Sequence, residues 1–303
     1  MIIESGENTT LRNSPFKSEA WLKVLNTSYT ILKAISSNKE VASIALIFST
    51  LSKTKLFQLS TLTTPRWAMD CGLNSNVSEK TYKELFREIS NLKAGLKVID
   101  LPSSIDKAFI DLNTPKEFQI QWRHTRQLSL LSELPSNRRK QLRRADREGI
   151  IAASDQSAAK AVICLHEESR LRKSLNHDNI AFENLINSLA NTEDFFIVTV
   201  KNNSDELMAS GGFLIIDNHT CLYAFGGQKR SKQSGLATVA LIDYAMQIAK
   251  SRGCDTFDFG GSADPGVDKF YKEFGAEKVS KARLVQVKPI LKPVMKLMRP
   301  DLF

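Results

Sequence analysis

Apolar and polar positions alternate over residues 29–35 and 41–49, the period of strands with one buried face. Asn38-Lys39 supplies a hairpin turn between them, and a third run at 55–62 ends near Pro65. The spacing shifts to that of helices at 16–25 and after Ser78, whose side chain can cap a helix running to about residue 92. Strands are expected at 97–101 and, as a pair, at 116–122 and 125–131. Pro135-Ser136 then opens a helix over 137–148, closed by Gly149. Helices follow at 157–172 and 181–189. Strands follow at 195–201, 207–216 and 220–225, with turns at Asn202-Asn203 and Asp217-Asn218. A long helix at 235–251, a strand at 256–259, a short helix at 267–274 and a last strand at 281–287 complete the order.

The second half therefore reads helix, helix, several strands, helix, strand, helix, strand, and the first half reads as a variant of the same order. The fold class is α+β, with two tandem units, each a mixed, mainly antiparallel sheet flanked by helices. The expected boundary lies near Leu134, giving units 1–134 and 135–303. No low-complexity linker separates them, so the halves are expected to pack together.

Composition narrows the partners. The chain has 303 residues, 42% of them hydrophobic, which is enough for a sizeable core. Its net charge of +9 suits anionic partners such as phosphates, nucleotides, RNA or an acidic membrane face. Cys71, Cys164, Cys221 and Cys254 are scattered and read as reduced thiols, with Cys164 and Cys221 buried in apolar runs. His124, His166, His177 and His219 share no metal-ligand spacing with them, so no metal is expected. No secretion signal or membrane-spanning run is visible, and the expected location is the cytoplasm.

Four segments carry candidate chemistry. The loop from Gly226 and Gly227 through Lys232, Ser234, Gly235, Leu236 and Ala237 leads into the long helix. A helix start of this kind can hold a diphosphate on its free N–H groups, and small residues at 235 and 237 allow close approach. An ordinary turn before a helix explains the same residues. In TFDFGGSADPGVDKFYKEFGA, residues 256–276, Asp258 alternates with Phe257 and Phe259 and faces away from them. Its carboxylate suits a general base, or equally an acceptor that holds the Gly260-Gly261 turn. Glu168, His177 and His219 are alternative bases with no spacing to mark them. Arg138, Arg139, Lys140, Arg143, Arg144 and Arg147 crowd one helix, with 139, 143 and 147 on one face. Either this is a solvated face, or Arg139 and Arg143, with Arg170 and Lys173 from the next helix, bind an anionic substrate. Finally, Lys288, Lys292, Lys296 and Arg299 alternate with apolar residues, as in a basic amphipathic segment. Packing on the protein body is the leading expectation, and contact with an anionic membrane face is the other.

Taken in order, RRKQLRRADREG, then FGG before SGLA, then FDFGGS and FYKEFGA resemble the FemAB-like acyltransferases, proteins with two GNAT-type units in tandem. The resemblance is specific over 134–279. It implies acyl-CoA or acetyl-CoA as co-substrate at the 226–237 loop, where Lys232-x-x-Gly235-x-Ala237 fits the last two positions of the GNAT phosphate pattern. It implies that Tyr271, four residues before Gly275, assists the departing thiolate as an acid. The aminoacyl-transferring members resemble Phe-Lys-x-x-Phe-Gly here. Aligning Phe270 and Phe274-Gly275 puts Tyr271 in their lysine position, with Lys272 one residue later.

The resulting expectation is an acyltransferase that moves an acyl group from CoA to an amine of an amino sugar or another cell-envelope precursor. Tyr271 and Asp258 would be catalytic, and Ser262 and Lys272 would join the arginines in binding substrate. The acceptor would be a small or a nucleotide- or lipid-linked anion. Two alternatives stand beside it: a Fem-type transferase using aminoacyl-tRNA to build peptidoglycan, and a non-catalytic RNA- or membrane-binding module.

Overall fold

Ser37 and Asn38 both have left-handed backbones, and this tight turn folds the first predicted hairpin. The computed structural model describes residues 1–11, 14–54, 57–175, 178–217, 219–261 and 264–303. In chain order the elements are β1 (Ile2–Gly6), α1 (Glu19–Leu22), β2 (Tyr29–Ser36), β3 (Lys39–Thr54), β4 (Phe57–Thr63), α2 (Glu79–Asn91), β5 (Leu96–Asp100), α3 (Lys107–Asn113), β6 (Gln119–Ser129) and α4 (Ser136–Arg147). They continue as β7 (Ile151–Ser154), α5 (Ala159–Arg172), α6 (Asn179–Leu189), β8 (Phe195–Lys201), β9 (Leu207–Ile216), β10 (Thr220–Gln228), α7 (Ser234–Ser251), β11 (Thr256–Asp258), α8 (Pro265–Lys272), β12 (Glu277–Val287) and α9 (Lys292–Met298).

The chain is α+β and divides into two units, Met1–His124 with Ser280–Phe303, and Thr125–Val279. This differs from a division at Leu134. The expected strand pair at 116–122 and 125–131 is one strand, β6, because nothing between its halves can turn. The chain thus leaves the first unit in mid-strand and returns to it within β12.

Each unit has the same pairing pattern. In the first, β1 to β4 pair antiparallel in chain order, β4 pairs parallel with β5 after the α2 crossover, and β5 pairs antiparallel with β12. In the second, β7 to β10 pair antiparallel, β10 pairs parallel with β11 after the α7 crossover, and β11 pairs antiparallel with β6. Both sheets are mixed and mainly antiparallel, as the alternation predicts. The short strands β1 and β7 and the helix α3 carry too few periodic positions to stand out in the sequence.

Local chemistry accounts for these elements. Ser78 caps α2 by accepting from Thr81 N–H, and α2 buries Tyr82, Leu85, Phe86 and Ile89 on the first sheet. In the second unit Phe196, Val198 and Val200 face α7, while the alternating Phe195 and Ile197 face away. α5 and α6 cover that other face, where Phe182 meets Phe225 with ring centroids 5.3 Å apart. Gly227 lets α5 approach β10: a Cβ there would lie 2.1 Å from the Leu165 carbonyl oxygen. Cys71, Cys221 and Cys254 are buried, but Cys164 is exposed on the outer side of α5, contrary to expectation.

The helix α8 has eight residues and cannot stand without help. Asp264 caps its start, accepting from Gly266 N–H at 2.9 Å. Arg126 on β6 donates through Nε and Nη2 to the two carboxylate oxygens of Asp268, both at 2.8 Å, and through Nη1 to the Ala276 carbonyl at 3.0 Å. Arg138 on α4 is 2% exposed and donates to the Phe270 carbonyl at 2.8 Å, one of the carbonyls a helix end leaves unpaired. Its guanidinium lies 4.4 Å and 4.5 Å from the ring centres of Phe270 and Phe274. Burial lowers its pKa, and the neighbouring Glu273 opposes that effect.

Two stability measurements test this packing. Arg138→Ala is expected to cost about 3 kcal/mol in denaturant unfolding, since it strips a buried charge from its partners. Gly227→Ala is expected to cost about 1–3 kcal/mol, because a backbone carbonyl must move to admit the methyl group.

Candidate functional site

β10 and β11 pair over only three residues, the last being Leu222 with Asp258. β11 ends there, while β10 continues to Gln228 still paired with β9. The two strands therefore part at their C-terminal ends. Within the open stretch the β10–β9 register shifts between Tyr223 and Phe225, leaving Ala224 as the extra residue of a bulge. The bulge breaks the alternation: Tyr223 stacks on Phe213 on the α7 side, whereas Phe225 meets Phe182 on the α5 side.

Several element ends meet around this opening. The Gln228 side chain accepts from the Thr238 hydroxyl in the second turn of α7. Arg172, at the end of α5, donates to the Gln228 carbonyl at 3.2 Å. Lys173 donates at 2.9 Å to Asp264, the cap of α8. Lys173, then the Gly266 and Val267 amides, hold the Asp264 carboxyl below its ordinary range. Gln233, before α7, donates at 2.7 Å to Glu148 at the end of α4. Arg144 and Gln233 hold the Glu148 carboxyl low in turn.

Tyr271 lies at the closed end of the opening. Its ring centre is 4.7 Å from that of Phe259, the residue after β11, and the side chain is 9% exposed. Burial pushes its pKa well above the ordinary tyrosine value, and Tyr223, Asp258 and Asp264 add to the effect. Its hydroxyl has no hydrogen-bond partner among the described residues. Tyr223 was not marked by the sequence reading. Its hydroxyl reaches over Gly226, where a Cβ would lie 2.2 Å from it, and burial pushes its pKa up to about 12. The available signal was an aromatic residue three positions before a glycine, a weak one.

Asp258 is buried and fully engaged. Its Oδ1 accepts from the Thr125 hydroxyl and from Gly260 N–H at 2.7 Å, and its Oδ2 accepts from Gln127 Nε2 at 2.8 Å. Gly260 and Gly261 both have left-handed backbones, with φ of 77° and 68°, and Asp258 fixes that turn. Of the alternative bases, His219 precedes Thr220 at the opposite end of β10 and Glu168 faces Arg172 at 3.6 Å. His166 stacks on Phe182. His177 and Ser262 lie outside the described residues.

The 226–237 loop divides into several roles. No side chain caps α7 at Gln233. The Ala237 amide bonds to the Gln233 carbonyl at 3.0 Å and is therefore not free for a phosphate. The Gly235 and Leu236 amides have no partner among the described residues, and Gly235 is bordered by open space. The Leu236 and Ala237 side chains are core, and the Ser234 hydroxyl donates to the Ser231 carbonyl at 2.9 Å. Lys229, Arg230 and Lys232 are exposed beside this helix start. Gly226 and Gly227 accommodate Tyr223 and α5, which is a packing role.

The remaining substrate candidates are spread out. Arg139 is exposed and faces Glu133 at 3.4 Å. Lys140, Arg143 and Arg147 form an exposed ridge along α4 with no acidic partner among the described residues. Lys272 is exposed, about 100° around α8 from the buried Tyr271. Arg170 is half-buried in the last turn of α5. Among the described residues no three His, Cys, Asp or Glu side chains form a group able to hold a metal, and no helix is long and apolar enough to cross a membrane.

Comparison with known proteins agrees with this architecture. Residues 151–282 match the FemAB family. No curated protein sequence matches the chain. The structure of FemX is similar with a TM-score of 0.67 at 13% identity, over 96% of this chain and 95% of that one. A conserved protein of Bacteroides thetaiotaomicron follows with 0.62 at 10% identity, over 93% and 92%. L-PGS from Bacillus licheniformis gives 0.55 at 13% identity, over 85% of each chain. At these identities the structures speak for the fold alone. The family match falls on the opening between β10 and β11 and the helices around it, so residues 151–282 resemble the FemAB family and the fold as a whole resembles that of FemX.

Proposed function

We propose that the chain transfers an acyl group from a CoA thioester, acetyl-CoA being the simplest, to an amine on an amino-sugar or other cell-envelope precursor. The observation that carries this reading is Tyr271, a neutral phenol at the closed end of the opening, where aminoacyl-transferring relatives resemble a lysine. Lys272 is exposed about 100° around α8 from the buried Tyr271, so the phenol and not the ammonium takes the interior position.

In this reading the diphosphate of CoA binds the free amides of Gly235 and Leu236, with Lys232 and its neighbours adding positive charge. The amine attacks the thioester carbonyl, forming the C–N bond and a tetrahedral oxyanion. A backbone N–H near the Ala224 bulge stabilises that charge. Collapse breaks the C–S bond, the thiolate leaves, and the amine proton passes to solvent. A thiol with a pKa of about 8.5 cannot draw a proton fully from a phenol near 10, and burial widens that gap. Tyr271 therefore acts as a hydrogen-bond donor to the departing sulfur. With both Asp258 oxygens engaged, we assign that carboxylate to holding the turn and not to general-base catalysis.

A second reading has its own support. The ridge of Lys140, Arg143 and Arg147 lacks acidic partners and suits an RNA backbone, which favours aminoacyl-tRNA as donor. Transfer of a labelled amino acid from charged tRNA to a muropeptide, without CoA binding, would select it.

Acetyl-CoA at millimolar concentration is expected to raise the melting temperature, and the absence of any shift would count against the thioester reading. Tyr271→Phe is expected to keep the fold and lower kcat about a hundredfold in an acyl-transfer assay. Because the folded-state pKa of Tyr271 is raised, the phenol stays protonated through pH 10. Any loss of rate between pH 8 and 10 should therefore persist in Tyr271→Phe.

A further inference from the structure

The segment after β12 divides its apolar side chains between two faces. Met295 and Leu302 are fully buried, and Leu291 packs beside them, against a patch that includes Leu59, Val98 and Val285. Gly95 makes room for this docking. A Cβ there would lie 2.8 Å from Leu291 Cδ1, and the Gly95 carbonyl accepts Lys288 N–H at 3.0 Å. The sequence expectation that the segment packs on the protein body describes this inner face.

Ile290, Val294 and Leu297 lie outside that contact. Ile290 is 85% exposed, Leu297 87% and Val294 41%. At i, i+4 and i+7 they form one stripe along α9 and the 3-10 turn before it. Lys288, Lys292 and Lys296 are exposed on the same segment, and none has a carboxylate partner among the described residues. The segment's single acid, Asp301, is already taken by Arg299 through two hydrogen bonds of 2.8 Å.

We propose that this segment docks on an anionic bilayer surface, the stripe toward the acyl chains and the lysines reaching the headgroups by their long stems from the opposite flank of α9. Large aliphatic side chains left bare on a segment whose lysines have no carboxylate partner among the described residues, Lys296 meeting only the Phe303 ring at 5.7 Å, mark an interaction surface. The lysines need negative charge spread over an area, and the aliphatic stripe needs an apolar layer just beneath it. A plane of anionic headgroups over acyl chains supplies both. The inner face keeps the segment folded before contact, so little ordering entropy is lost on docking. Each lysine near such a surface strengthens binding about fivefold. Three aliphatic side chains are too few for permanent insertion, so the contact is reversible and weakened by salt. The chain's net charge of +9 favours the encounter from a distance.

Co-sedimentation of the full chain with vesicles tests the proposal. Binding is expected to phosphatidylglycerol-containing vesicles, to fall as salt rises, and to be absent with pure phosphatidylcholine. Lys292→Gln with Lys296→Gln should weaken binding about 25-fold. Ile290→Ser with Leu297→Ser should remove the fraction that survives raised salt. All four side chains are exposed, so both double variants should melt at the wild-type temperature. Arg143→Gln with Arg147→Gln, on the other basic surface, should bind like wild type. No binding to anionic vesicles overturns the proposal, as does binding lost with the α4 pair but kept in the two α9 variants. A dimer in solution that Leu297→Ser dissociates, with no vesicle binding, would assign the stripe to a second copy and overturn it equally.

Discussion

The second unit depends on the burial of one guanidinium. Arg138 lies against the rings of Phe270 and Phe274 and donates to a carbonyl at the end of α8. A charge so far from water is tolerated because Nη1 donates to Gln141 and Nη2 to the Phe270 carbonyl and Glu273, which leaves only Nε without a partner among the described residues, and a short helix is stable only when its open end is capped. Each side supplies what the other lacks. Arg126 repeats the arrangement from β6, gripping Asp268 and the Ala276 carbonyl beyond the helix. Between these two grips α8 has little freedom, and Tyr271, one residue after Phe270, is held in register with Phe259. A residue whose proposed role is to meet a sulfur atom is thus positioned by interactions made on other faces of its helix.

The opening itself follows from strand length and one extra residue. β11 stops at Asp258 because two left-handed glycines come next, and Asp258 accepts the N–H that fixes them. β10 does not stop, and its bulge turns Tyr223 and Phe225 to opposite faces. Electrostatics then divide the region. The start of α7 has free amides and solvent-facing cations, whereas the far end has two phenols kept neutral by burial. Such a gradient suits a ligand with charged phosphates at one end and an uncharged reacting group at the other.

Most elements of the second unit were legible because their signals are local. Pro135 and Gly149 bracket α4, β9 was placed without error, and Tyr271 and Gly275 kept the spacing that drew attention to them. What escaped depends on contacts between residues distant in sequence. That Arg138 is interior while Arg143 is exposed cannot be read from a run of like residues, since only the packed Phe270 and Phe274 distinguish them. The engagement of Asp258 by Thr125 and Gln127 joins positions more than a hundred apart. Gly227 read as a phosphate glycine because glycine has the same signature whether a ligand or a helix comes close, and here the neighbour is α5. The division by contacts falls at His124 and Ser280 and not near Leu134, and no turn or linker signal marks it, because the chain crosses between units inside regular strands.

That crossing bears on how the polypeptide is made. Residues 125–279 form a unit continuous in sequence. The amino-terminal portion is synthesised first yet lacks β12, which pairs with β5, and the side chains of Met295 and Leu302, which cover Leu59 and Val98. Until those residues are made, the β5 edge has no β12 partner and the Leu59–Val98 patch has no cover. The amino-terminal portion therefore completes its sheet and its apolar cover only when residues 280–303 have been made.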